Sequence, residues 1–128
     1  MRRLLLLVVF CLSVLVGCGG DDEQKSEPQL DPNTDAGRGE QVFKTNCATC
    51  HAVKGDRVVV GPSLAGVANR AGTRIEGLSA EEYIRESIIY PNSFTVLGFP
   101  EGTMQQNFAN QLTSDEVNYL VAYLMTLD

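Results

Sequence analysis

Histidine occurs once in these 128 residues, and positive charge is scarce, with 10 basic groups against 16 acidic ones. The acidic balance excludes a surface built to neutralise phosphate, so neither nucleic acid nor anionic lipid headgroups are expected partners. A single histidine excludes any site that needs two imidazoles. No cysteine follows Cys50, so thiolates cannot complete a four-ligand zinc site around the middle of the chain. Strand patterning is missing too: Arg57 to Val60 is the one strand-like run and is too short to found a sheet. Long apolar segments are also absent. The one extended run, Leu4 to Val16, has 13 positions, where a membrane span needs roughly 20.

That run follows Arg2 and Arg3 and ends in Gly17-Cys18-Gly19-Gly20, the layout of an export signal. Leu15-Val16-Gly17-Cys18 resembles a bacterial lipobox, in which the cysteine carries lipid and becomes the first mature residue. An uncleaved anchor is the alternative, and Cys11 reads as an apolar residue of the discarded segment. The expected organisation is a lipoprotein signal peptide over 1–17, a lipid-anchored acidic tether over 18–35 and a folded domain over 36–128. The tether is polar, with six acids against one lysine in residues 21–35, and cannot bury enough surface to order itself. Removing Arg2 and Arg3 leaves 8 basic against 16 acidic groups, a formal charge of −8. Partners with basic docking faces are therefore expected.

Three segments carry helix signals. Residues 36–46 place Val42 and Phe43 just ahead of two cysteines. At 79–90, Ser79 and Glu82 form a capping-box pattern with Leu78 and Tyr83 as its hydrophobic staple, and Pro91 stops the helix near Tyr90. Thr113 and Glu116 repeat the device, with Leu112 and Val117 as staple, before Val117, Leu120, Val121 and Leu124 line one helix face. The expected fold class is all-α. Residues 59–69 and 91–111 are irregular yet apolar, too much so for solvated loops. Three short helices and two apolar loops imply that something else fills the centre.

The stretch TNCATCHAVKG, residues 45–55, concentrates Cys47, Cys50 and His51. A redox dithiol uses the same Cys-x-x-Cys spacing, but on a strand–helix turn, and no strand precedes Cys47. Zinc lacks a fourth ligand. A disulfide would close a tiny loop and leave His51 unexplained. Covalent attachment of a c-type haem uses all three residues: two thiols add to the porphyrin vinyl groups, and the adjacent histidine ligates the iron. The second axial ligand must then be a methionine. Met125 falls on the C-terminal helix, where a methionine fills core space. Met104 lies in the irregular loop after Glu101-Gly102-Thr103, where the chain can turn its thioether inward, and is the expected ligand.

These residues resemble the class I cytochrome c family from about Ala36 to Leu127. Gly39 and Phe43 are similar to the glycine and phenylalanine of its N-terminal helix, and Leu120 and Tyr123 to the Leu-x-x-Tyr of its C-terminal helix, which crosses the first closely at the glycine. Gly61-Pro62-Ser63-Leu64, Gly66 and Arg70 resemble the loop after the haem motif. The resemblance implies that the Pro62 carbonyl accepts from His51 Nδ1, that Arg70 lies near a haem propionate, and that Pro91 closes the helix before the methionine loop. GFPEGTMQQNF, residues 98–108, is most similar to bacterial members, including small membrane-attached cytochrome subunits of respiratory complexes. Some of these carry an asparagine three residues after the methionine, hydrogen-bonded near its sulfur, a place held here by Asn107. The chain departs from the pattern with Gln105 where many members have proline, with no tryptophan, and with no lysine cluster.

The implied function is electron transfer, with one haem c on Cys47 and Cys50 and its iron between His51 and Met104. Two protein ligands leave no open position for a substrate, so no small-molecule substrate is expected. Redox proteins serve as donor and acceptor at the membrane that holds the lipid on Cys18. The competing function is a haem enzyme or gas sensor in which Met104 is labile.

Overall fold

The computed structural model describes residues 30–128. The expected signal segment and Cys18 lie outside the described residues. Among the described residues five helices follow one another: α1 (Asp35–Asn46), α2 (Val67–Ala71), α3 (Ala80–Ile89), α4 (Phe108–Gln111) and α5 (Ser114–Leu124). Among the described residues there is no strand, and no helix is long and apolar enough to cross a membrane. The fold is all-α, and Arg57 to Val60 is an exposed bend rather than a strand.

Local signals set the long helices. Thr34 caps α1, its side chain accepting the Gly37 N–H at 3.0 Å, and Glu40 pairs with Lys44 one turn later at 2.8 Å. Ser79 accepts the Glu82 N–H at 3.2 Å while the Glu82 carboxylate accepts the Ser79 N–H at 2.8 Å. Thr113 and Glu116 repeat this reciprocal pair at the start of α5. Each box satisfies helix-end donors that would otherwise lack partners. Leu78 and Leu112, ahead of the caps, are partly buried and pack against the core that holds Tyr83 and Val117.

Residues 30–34, at the end of the acidic stretch, contact the folded unit. Leu30 packs against the core, and Asp31 to Thr34 form a turn in which Thr34 N–H bonds the Asp31 carbonyl at 3.0 Å. The last residues of the acidic stretch are therefore the capping turn of α1 rather than tether. The two further helices, α2 and α4, have five and four residues, too short to leave a periodic pattern.

α1 and α5 cross in close contact, and the reason is Gly39. A Cβ at Gly39 would overlap the Tyr119 carbonyl and lie 2.8 Å from Tyr123 Cβ, so only glycine allows the backbones this near. Phe43 and Tyr123 meet next to the crossing with ring centroids 5.4 Å apart. At the rim, Arg38 donates to the Tyr119 hydroxyl at 3.1 Å and lies 5.3 Å over its ring. This crossing fixes the end of α1, and therefore the residues that follow it.

Candidate cofactor site

Cys47 is the C-cap of α1, with its N–H on the Phe43 carbonyl at 2.8 Å. The chain keeps winding for one more turn: Cys50 N–H and His51 N–H both bond the Cys47 carbonyl at 3.0 Å. A spacing of three on such a turn sends both thiols and the imidazole into one cavity of about 750 Å³. The returning loop is stitched to the same turn, since Val60 N–H and Gly61 N–H bond the Cys50 carbonyl at 3.2 and 2.9 Å.

The stitching sets the histidine. His51 Nδ1 lies 2.8 Å from the Pro62 carbonyl oxygen, which can only accept. Nδ1 therefore carries the proton, and Nε2 keeps a lone pair free to ligate a metal. Gly61 packs flat on the ring, where a Cβ would come within 2.9 Å of both ring nitrogens. Backbone atoms of Pro62 and Gly61 thus set the tautomer and press on the ring.

Cys47 is not activated for thiol exchange. Burial, and secondly the neighbouring Cys50, push the Cys47 thiol up to about 11. A dithiol nucleophile requires the opposite shift. Among the described residues no group of His, Cys, Asp and Glu could hold a metal ion by itself.

Met104 enters the same cavity from another segment, the loop between α3 and α4. It is partly buried and packs against the core. Met125 does not line the cavity; it is the C-cap of α5. Phe43, Val67, Ile84, Ile88 and Leu120 supply the apolar wall.

Arg70 lines the cavity with its guanidinium already engaged: it donates to the Ser63 carbonyl at 2.7 Å and to the Ala65 carbonyl. Burial, and secondly Arg74, lower its pKa from the ordinary value. It therefore braces the loop after the haem motif and still has N–H donors to spare. Arg74 lines the cavity as well and was marked by no motif; only a cation beside an apolar loop could have pointed to it. Asn107 is exposed, outside the cavity wall, and caps α4 with its backbone.

A cavity of this size falls in the ~300–1,000 Å³ range of small-molecule and cofactor sites. Its donors are two thiols at a spacing of three, an imidazole with Nε2 free, a thioether, and two guanidinium groups beside an apolar wall. A haem fits that set, being an apolar macrocycle with two vinyl groups, two carboxylates and an iron that takes nitrogen and sulfur ligands. The fold and site together define a small helical haem protein of the covalently attached type.

Comparison with known proteins gives the family. The cytochrome c family model matches residues 36–128. A cytochrome c of Chlamydomonas reinhardtii is 33% identical over 100 residues, covering 73% of this chain and 89% of its own length. Cytochrome c2 iso-2 of Magnetospirillum molischianum is 33% identical over 89 residues, covering 65% of this chain and 92% of its own. A cytochrome c2 of Rhodopseudomonas palustris is 49% identical over 45 residues, covering 35% of this chain and 37% of its own. The chain belongs to the cytochrome c family. It is an electron-transfer haem protein, a carrier rather than an enzyme, with one c-type haem covalently bound through Cys47 and Cys50.

Proposed function

We propose that the chain is a one-electron carrier lipid-anchored through Cys18 outside the cytoplasm, its iron held by His51 and Met104. The observation that carries this is the convergence of Cys47, Cys50, His51 and Met104 on one apolar cavity. When bound, haem supplies a one-electron change of its iron between the ferric and ferrous states. His51 presents Nε2 because Pro62 holds the other ring proton. The Met104 thioether favours ferrous iron and raises the potential. With His51 and Met104 both ligating the iron, no position would be left open for a substrate.

Partners are redox proteins. Val58 and Val60, 60% and 50% exposed, line the cavity and supply an apolar contact around its mouth. Basic docking faces on those partners fit the acidic charge of the chain, 16 acids against 10 bases. The donor and acceptor belong to a respiratory or photosynthetic chain at one membrane.

The oxidised absorption spectrum tests the ligand set. The far-red thioether-to-iron band should be present, vanish in Met104→Ala and persist in Met125→Ala. A high-spin ferric iron that takes up cyanide readily in the unmutated protein would overturn the carrier reading in favour of a haem enzyme or sensor. Cys18→Ser should move the domain from the membrane fraction to the soluble extracytoplasmic fraction, and retention at the membrane would remove the lipid anchor.

A further inference from the structure

The segment that carries Met104 is long, and little regular structure supports it. Between α3 and the short α4 it has no helix or strand, and its tip, Leu97, is 98% exposed. Its first half is fastened by apolar contact: Phe94 packs edge-on against Tyr83 of α3, ring centroids 5.3 Å apart. Its second half is fastened by hydrogen bonds. Phe99 N–H bonds the Val96 carbonyl at 3.0 Å, and Thr103 Oγ1 donates to the Pro100 carbonyl at 2.9 Å. Both of these close turns within the loop and do not tie it to the rest of the fold.

One side chain joins the stem to the part that matters. Asn92, three residues beyond α3, accepts the Gly102 N–H on Oδ1 at 2.9 Å across ten residues of chain. Gly102 has φ +75°, a left-handed conformation that glycine adopts without strain, and this conformation accompanies the N–H reaching Asn92. Met104 follows two residues later. On its other side the Met104 carbonyl accepts from the Gln106 side chain, and Gln105 donates to Gln111 of α4. The methionine thus lies between the Asn92–Gly102 bond and the two glutamine bonds, and Asn92 is the residue tied to the end of α3.

We propose that Asn92 is a positioning residue for Met104: its Oδ1 holds the Gly102 amide and so sets where residues 102–104 present the thioether in the cavity. This rests on the reading of Met104 as axial ligand. Because the bond is solvent-exposed, it tunes the equilibrium between attached and detached thioether and does not lock it. The loop can open at this point while the α1–α5 crossing stays intact.

The test uses the full-length holoprotein and imidazole as the competing ligand. Asn92→Ala removes the acceptor; Asn92→Asp keeps one. In Asn92→Ala, imidazole affinity for the ferric protein should rise about two- to tenfold, the range of one net hydrogen bond. The far-red band should weaken, and the Gly102 amide should exchange faster in the ferrous protein. Asn92→Asp should restore amide protection and imidazole resistance towards the unmutated values. Unchanged imidazole affinity and unchanged Gly102 exchange in Asn92→Ala would overturn the proposal, as would an Asn92→Asp protein that behaves like Asn92→Ala. A Met104→Ala protein that keeps the band would instead remove the ligand assignment, and the role of Asn92 with it. Loss of the band in Met104→Ala beside an unaffected Asn92→Ala isolates the failure to Asn92.

Discussion

Gly61 lies against the face of His51 so closely that a Cβ would come within 2.9 Å of both ring nitrogens. Two residues that no sequence pattern pairs therefore share one requirement, because the ring cannot hold its plane unless residue 61 has no side chain. Gly61→Ala must tilt the ring or push the 60–62 loop away, which strains the His51–Pro62 bond. Overpacking of this kind costs about 1–3 kcal/mol. The expected outcome is a lower guanidinium midpoint together with an altered ferric spectrum, since the imidazole itself moves. A midpoint loss with an unchanged spectrum would place the strain in the loop alone.

The α1–α5 crossing makes a separable prediction. Gly39→Val puts a branched side chain where Cβ alone already overlaps the Tyr119 carbonyl. The helices must part, and Phe43 and Tyr123 lose their contact. A loss of about 3 kcal/mol or more is expected by chemical denaturation, at the upper end of overpacking effects. His51 is held by Pro62 and Gly61 rather than by the crossing, so the far-red band should survive in the folded fraction.

Acid sensitivity should arise in part at the helix starts. The backbone N–H of Ser79, then its side chain, hold Glu82 below its ordinary carboxylate value of 4.5, and Thr113 does the same for Glu116. A carboxylate with a depressed folded-state pKa stabilises the fold above its unfolded value and loses that contribution as pH falls through the folded one. The thermal midpoint should therefore begin to drop as pH falls below about 4.5. The Glu82→Gln, Glu116→Gln double variant should start lower at neutral pH and lose less on acidification. Parallel acid limbs in the two proteins would show that other carboxylates govern the transition.

What the sequence made legible was whatever is local. Both capping boxes, the stop at Pro91 and the Cys47–Cys50–His51 turn are contacts within a few residues, so spacing reveals them. α2 and α4 escaped because helices of five and four residues are held by packing and leave no period. Leu30 escaped because a lone apolar residue disappears in the average of a polar stretch. The two carbonyl partners of Arg70 were hidden for another reason. They are backbone oxygens, which every residue has, so only the folded path of the chain says which ones converge. The Asn92–Gly102 bond is invisible on the same ground.

Loss of haem attachment should unmake the core. Among the described residues thirteen apolar ones are buried, and eight of them also line the cavity, among them Phe43, Ile84, Ile88, Leu120 and Leu124. Their burial is therefore shared between protein contacts and whatever fills about 750 Å³. The crossing of α1 and α5 is closed by protein atoms, through Gly39 against Tyr119 and Tyr123, and depends less on the cavity. Cys47→Ala, Cys50→Ala prevents covalent attachment while leaving helix propensity intact, since alanine is the best helix former. The expected product retains helical far-UV signal but has no cooperative near-UV melt, the mark of a compact state without fixed packing. A single sharp melt in the haem-free variant, with near-UV signal intact, would mean that the helices close over the cavity on their own. In that case the haem would be a passenger in the fold rather than part of its core.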